Sequence, residues 1–347
     1  MKSAILITFD KESIANESAA LAKAADFNVV YTIKKKFLNK PKYGISDLTE
    51  LKTACEDLNP DVIIFDSILS PRKNYNLAGA LEKPILDRET LILNIFEARA
   101  NTTENQLQVK MGFLKHEMTI AKERIHFQTL AERPGWGSVG TYSIDKYELS
   151  IKRRMATVKE KLKKVQKHRN LHRRSRQRSE FKTISLAGYT SSGKTTLFNT
   201  LTQEQKEIDE KLFTTLTTTT RRIEINKKIF LLTDTIGFIS KLPPYMIEAF
   251  KSTLDELLYT DYIIITVDLS DDEAELINKF RSCTNTLSQL GIENKKFIFA
   301  LNKSDLLTKE EIDRKIKLLE LEDNKNKVII SAKTGANIEI LKALVQG

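Results

Sequence analysis

The segment Gly188-Tyr189-Thr190-Ser191-Ser192-Gly193-Lys194-Thr195-Thr196 constrains this chain more than any other. It follows the apolar run TISLAG and opens a stretch with helical spacing, so a strand, a tight loop and a helix succeed one another. A loop of this kind lets successive backbone N–H groups converge on phosphate oxygens at the positive end of a helix. Lys194 is then placed to reach the β and γ oxygens, and the Thr195 hydroxyl to hold magnesium. The loop works at the carboxyl end of a parallel strand, and the rest of 181–347 has the matching alternation. RRIEI, IFLLTDT, YIIITVDLS, KKFIFALNKSD and VIISAKTG read as strands, with helical stretches near 194–202, 243–259, 271–290, 308–320 and 337–345. The expected fold class is α/β throughout, with a P-loop domain over 181–347.

Three later motifs occur in the order that completes a nucleotide site: Asp234-Thr235-Ile236-Gly237, Asn302-Lys303-Ser304-Asp305 and Ser331-Ala332-Lys333. Asp234 ends a strand and is expected to act on magnesium, while the Gly237 N–H meets a γ-phosphate. A carboxylate at Asp305 accepts from guanine N1 and N2 together, a pair that adenine does not present. Asn302 braces that loop, the Lys303 stem lies along the base, and the Ala332 N–H faces guanine O6. GTP and GDP are therefore the expected substrate and product, with Mg2+ as the metal. A segment that responds to the γ-phosphate should lie within 203–220, where six threonines crowd 214–220 and spacing does not single out a metal ligand. The residue after Gly237 is Phe238, where Ras-type enzymes carry the glutamine that orients the attacking water.

Residues 1–100 read as a separate small α/β domain, with apolar runs at 4–9, 28–33, 62–65 and 84–86 between helical stretches. Asp10, Asp66 and Asp87 lie near its strand ends and are expected to be loop and cap carboxylates. From 104 to 165, apolar residues recur every three or four positions in two blocks separated by RPGWGSVGTYS (133–143). That pattern predicts a long antiparallel helical hairpin over 101–180, each arm about 25 residues. The net charge of +10 is concentrated there, because 151–178 holds thirteen Lys/Arg and one acid, +12, leaving −2 for all other residues. One-signed charge without a strongly apolar face points to RNA rather than membrane. Cys55 and Cys283, the two cysteines, fit neither a disulfide framework nor a metal site and are expected in cores. No apolar run approaches the ~18–20 residues that cross a bilayer, so cytoplasmic placement is expected, with partial membrane association as the secondary expectation.

GYTSSGKTTLFN, LFTTLTTTTRR, DTIGFI, LPPYMIEAFKSTLDE, NKSD and SAKTG resemble the GTPase-domain motifs of the HflX family. LDRETLILNIFEARANTTENQLQVKM (86–111) is similar to the family's signature ahead of its helical pair. The resemblance implies a monomeric GTPase that docks on the large ribosomal subunit and its RNA and helps to split or rescue ribosomes. It also implies Thr215, within Phe213-Thr214-Thr215-Leu216-Thr217, as the second magnesium ligand. Lys194, Thr215 and Gly237 are then the catalytic set. The chain departs from the family at Ser191, where an asparagine is usual, and in the 135–148 loop, which lacks the usual glycine-rich sequence. Two other readings are a membrane or trafficking GTPase, for which no lipidation motif is present, and a nucleotide-gated RNA-binding protein in ribosome assembly.

Overall fold

The computed structural model describes residues 1–36, 48–131, 139–178, 181–204, 219–235, 237–239, 246, 257–292 and 296–346, with side chains except at 13, 123–131, 139–145, 166, 168–178 and 346. Phe213, Thr214, Thr215, Leu216, Thr217 and Ile236 lie outside these residues, as do the chain reversal at 132–138 and most of the expected helix at 243–259. Contacts divide the chain into two units, Met1–Val165 with Pro243–Ala249, and Gln166–Leu242 with Phe250–Gly347.

In the first unit β1 (Lys2–Phe9), β2 (Phe27–Lys35), β3 (Val62–Phe65) and β4 (Ile85–Asp87) form a parallel sheet in the order β2-β1-β3-β4. Helices α1 (Glu12–Ala24), α2 (Thr49–Leu58), α3 (Pro71–Leu81) and α4 (Arg88–Arg99) connect and follow the strands. Central β1 and β3 are apolar on both faces and buried, as strands covered by helices must be. Of the strand-end carboxylates, Asp87 is the expected helix cap, whereas Asp66 belongs to a buried ion network. Asp87 caps α4, accepting from Thr90 N at 2.9 Å, and also accepts from Leu69 N at 3.3 Å. Asp66 is buried, accepts from the Thr8 hydroxyl at 3.1 Å and pairs with buried Arg88, which also pairs with Glu17. A buried ion network of this kind survives because each charge has partners.

The helical pair is longer than its sequence pattern suggests, with α5 (Thr103–Ala131) of 29 residues and α6 (Val139–Arg178) of 40. Helix α6 starts inside the stretch expected to reverse the chain, at Val139. Met111, Leu114, Met118 and Ala121 of α5 share one apolar cluster with Ile151 and Val158 of α6. Glu117 accepts from Tyr147 at 2.6 Å and pairs with Arg154 at 3.2 Å. Among the described residues no helix is long and apolar enough to cross a membrane.

The second unit has a six-stranded sheet in the order β10-β9-β8-β5-β7-β6, made of β5 (Lys182–Gly188), β6 (Thr219–Ile225), β7 (Lys228–Asp234), β8 (Tyr262–Asp268), β9 (Lys296–Asn302) and β10 (Lys327–Ile329). Helices α7 (Lys194–Thr202), α8 (Glu273–Gln289), α9 (Lys309–Leu318) and α10 (Ile338–Gln346) match the helical spacing read from the sequence. Every residue of β8 is buried, which accounts for its unbroken apolar run. One strand departs from the all-parallel expectation, since β6 pairs antiparallel with β7. The two-residue turn Asn226-Lys227 makes this hairpin with φ of 47° and 64°. It lacks the Asn-Gly signature that usually announces such a turn. Both cysteines are buried, and burial pushes the Cys283 thiol up to about 12.

Candidate functional site

The expected site residues that are described gather at the carboxyl ends of β5, β7 and β9 and in the loop after β10. The loop Gly188–Gly193 joins β5 to α7, whose first residue is Lys194. Gly193 has a φ of 91°, and a Cβ there would collide with the Asn302 amide, so sterics and backbone both require glycine. Ser191 is exposed and left-handed at φ 62°, a conformation that asparagine adopts more readily than serine.

Asn302 bridges the loops. Its Nδ2 donates to Ser192 O at 2.9 Å and its Oδ1 accepts from Ala332 N at 2.9 Å. The Ala332 amide, expected to face guanine O6, is thus donated to Asn302. Thr200 of α7 donates to Ala332 O at 2.8 Å, and buried Ser331 accepts from Thr334 N at 3.2 Å. Phosphate loop, NKSD loop and SAK loop are thereby one hydrogen-bonded body, with Asp305 exposed at its rim. Lys303 is left-handed at φ 63° and Ser304 begins a short 3-10 turn.

Lys194 is buried and donates to Tyr189 O at 2.6 Å. Burial pushes its ammonium down to about 8, against an opposing pull from Asp234. Thr195 donates to Asp234 at 3.3 Å, so the two expected metal ligands lie side by side. A hydroxyl and a carboxylate oxygen are the hard donors that magnesium prefers, and the pair fits the ion. Thr235 donates to Leu186 O at 2.6 Å, tying the segment after β7 to β5. A Cβ on Gly237 would lie 2.9 Å from Lys194 Nζ and 3.0 Å from Thr190, so a side chain there would displace the lysine.

Phe238 is held by its backbone. Its N–H donates to Gly188 O at 3.0 Å and its carbonyl accepts from Thr190 N at 2.8 Å, while the ring is 3% exposed. The residue in the glutamine's place is therefore an apolar anchor that fastens the DTIG segment to the phosphate loop. Sequence alone showed the phenyl group but not this bridge.

Residues 183–303 match the family described as 50S ribosome-binding GTPase, 12–97 that described as GTP-binding GTPase N-terminal, and 99–176 that described as GTP-binding GTPase Middle Region. GTPase HflX of Methanocaldococcus jannaschii is 41% identical over 341 residues, spanning 97% of this chain and 83% of the relative. The chain belongs to the HflX GTPase family. GTPase HflX of Escherichia coli is more distant, at 32% identity over 314 residues, 88% of this chain and 72% of the relative. A GTP-binding protein from Sulfolobus solfataricus in complex with GDP aligns over 100% of this chain and 98% of its own, with a TM-score of 0.55 and 26% identity. The SsGBP and GDP complex aligns likewise at a TM-score of 0.60 and 27% identity. This HflX-family chain is a GTPase, and Asn302 joins loops of its P-loop domain.

Proposed function

We propose that this HflX-family GTPase reads guanine through Asp305, cradles the phosphates with residues 188–196, and couples hydrolysis to the large ribosomal subunit as a monomer. The observation that carries the nucleotide part is the Asn302 bridge, which fixes the loops proposed to read the base and bind phosphate relative to each other. With the Ala332 amide donated to Asn302, the next N–H along, that of Lys333, is the donor for guanine O6. Thr195 and Asp234 would hold Mg2+, joined by Thr215 as the family resemblance implies. Bound there, the ion would neutralise charge on the β and γ oxygens. Lys194 and the Gly237 N–H stabilise the same oxygens as charge builds on them. The phenyl ring at 238 cannot orient water, so backbone groups, another side chain or a docked partner must do so.

Lys194 gives this reading a pH signature. Burial depresses its pKa to about 8, and a nearby phosphate restores the ammonium, so nucleotide binding takes up a proton once the free enzyme has lost it. Affinity is then fully present well below pH 8 and is lost as the pH rises through it. From pH 7 to 9 the dissociation constant of GTP should rise ~10-fold, matching proton uptake seen by calorimetry in buffers of different ionisation enthalpy. A flat profile would mean that Lys194 takes up no proton on nucleotide binding.

The ribosomal part rests on α6. Arg153, Lys159, Lys161 and Lys163 are exposed there, and among the described residues none has an acidic partner, whereas Lys152, Arg154 and Lys164 do. Free cations on a long arm suit RNA phosphates, which release counterions on contact. Replacing the four by Gln should flatten the log–log salt dependence of binding to purified large subunits by ~2–3 units of slope. An equal slope for parent and variant would make them a solvated surface. Sedimenting a lysate with GTP, GDP or a nonhydrolysable GTP analogue tests the task. Subunits that separate only when GTP can bind point to splitting or rescue, while unchanged 70S particles with enriched free large subunits point to assembly.

A further inference from the structure

The segment after β8 is held by three lysines. Lys315, buried on α9, donates to the carbonyls of Leu269 and Asp271 at 2.7 and 2.8 Å. Lys279 on α8 pairs with Asp271 at 2.7 Å. The third, Lys303, belongs to the NKSD loop and pairs with Asp268, the last residue of β8. Asp268 is 8% exposed, and its carboxylate is divided between two tasks. One oxygen accepts from the Ser270 N–H at 2.9 Å and hydroxyl at 2.6 Å, and the other takes the Lys303 ammonium. Beside the pair, Leu269 N donates to Asn302 O at 3.0 Å, so backbone and side chain both join the end of β8 to the base-reading loop.

Asp268 has no place in the motifs that mark a nucleotide site, and its own neighbours explain only half of its carboxylate. Lys303 keeps a left-handed backbone that costs a lysine free energy, and its four-carbon stem would be free to wander if its head were in water. We propose that Asp268 is a positioning residue for guanine recognition: it anchors the Lys303 ammonium so that the stem forms a fixed apolar shelf against the base plane while Asp305 reads the edge. The lysine is then ordered before the nucleotide arrives, and binding loses less conformational freedom. This rests on the NKSD loop being the base site.

Asp268→Asn in the full chain tests it, because the amide oxygen still accepts from Ser270 while the charge that holds Lys303 is gone. Charge-assisted contacts are about twice as strong as neutral ones, and the dissociation constants of GTP and GDP should rise together by ~10-fold. KM should rise by the same factor with kcat at saturation and the melting temperature unchanged, a split that general damage to the loop would not give. In a Lys303→Met background, which keeps the stem but not the ammonium, Asp268→Asn should add nothing. Unchanged affinity in the single variant, or the same ~10-fold loss in the Lys303→Met background, would overturn the proposal. Asp305→Asn separates the two levels. If it leaves GTP affinity intact, the base-site reading falls and the proposal with it; if it loses GTP while Asp268→Asn does not, only the positioning role falls.

Discussion

Asp305→Asn should turn a GTP-binding protein into one that prefers xanthine nucleotides. The carboxylate accepts from guanine N1 and N2, whereas an amide keeps one acceptor and turns a donor toward N2, where xanthine carries an oxygen instead. Each hydrogen bond to a charged group contributes ~1.5–3 kcal/mol, so losing the pair should weaken GTP at least ~100-fold. Asp305 is exposed, and the loop beneath it is held by Asn302, so the fold should not change. Competition of GTP and XTP against a fluorescent guanine nucleotide, with a thermal melt as control, reads the result. Undiminished GTP affinity would remove Asp305 from the base site.

Phe238→Ala should have its large effect on stability rather than on chemistry. The ring is buried and its backbone is bonded to Gly188 and Thr190, so deleting the ring leaves a cavity. Phe-to-Ala changes in cores cost ~3–5 kcal/mol, which for a domain of this size lowers the melting temperature by roughly 10 °C. Phe238→Leu should lose much less. A phenyl ring neither donates to nor accepts from water, so the hydrolysis rate per folded molecule should persist in both. A normal melt with abolished hydrolysis would reverse this assignment.

Local chemistry made the placement of most candidate residues legible in advance. Asp234 and Asn302 end strands, Gly193 and Asp305 lie in the loop and turn that follow strands, and Lys194 opens α7, because each motif carries its own turn chemistry next to an apolar strand. What sequence did not reveal depends on partners far along the chain. Asn302 takes the Ala332 amide across 30 residues, and Phe238 finds its backbone partners in the loop after β5. Asp268 was hidden at the end of an apolar run, where a lone carboxylate reads as a strand terminus. The β6–β7 hairpin escaped because Asn226-Lys227 adopts its turn without glycine. The arm α6 was underestimated because helical spacing fades where its residues become polar and basic, although a helix needs no apolar seam in every turn.

Single-turnover hydrolysis of GTP, with and without purified large ribosomal subunits, tests most directly whether catalysis proceeds without a water-orienting side chain at 238 and is completed by docking. The parent alone should turn over at ~10⁻⁴ to 10⁻² s⁻¹, in the range of unstimulated GTPases. Large subunits should accelerate it ~10-fold or more, which requires only ~1.4 kcal/mol of added transition-state stabilisation. Phe238→Leu should show the same basal rate and the same acceleration, while the variant with Arg153, Lys159, Lys161 and Lys163 replaced by Gln should keep the basal rate and lose the acceleration. A basal rate that vanishes in Phe238→Leu while GTP still binds, or a parent indifferent to large subunits, would contradict it.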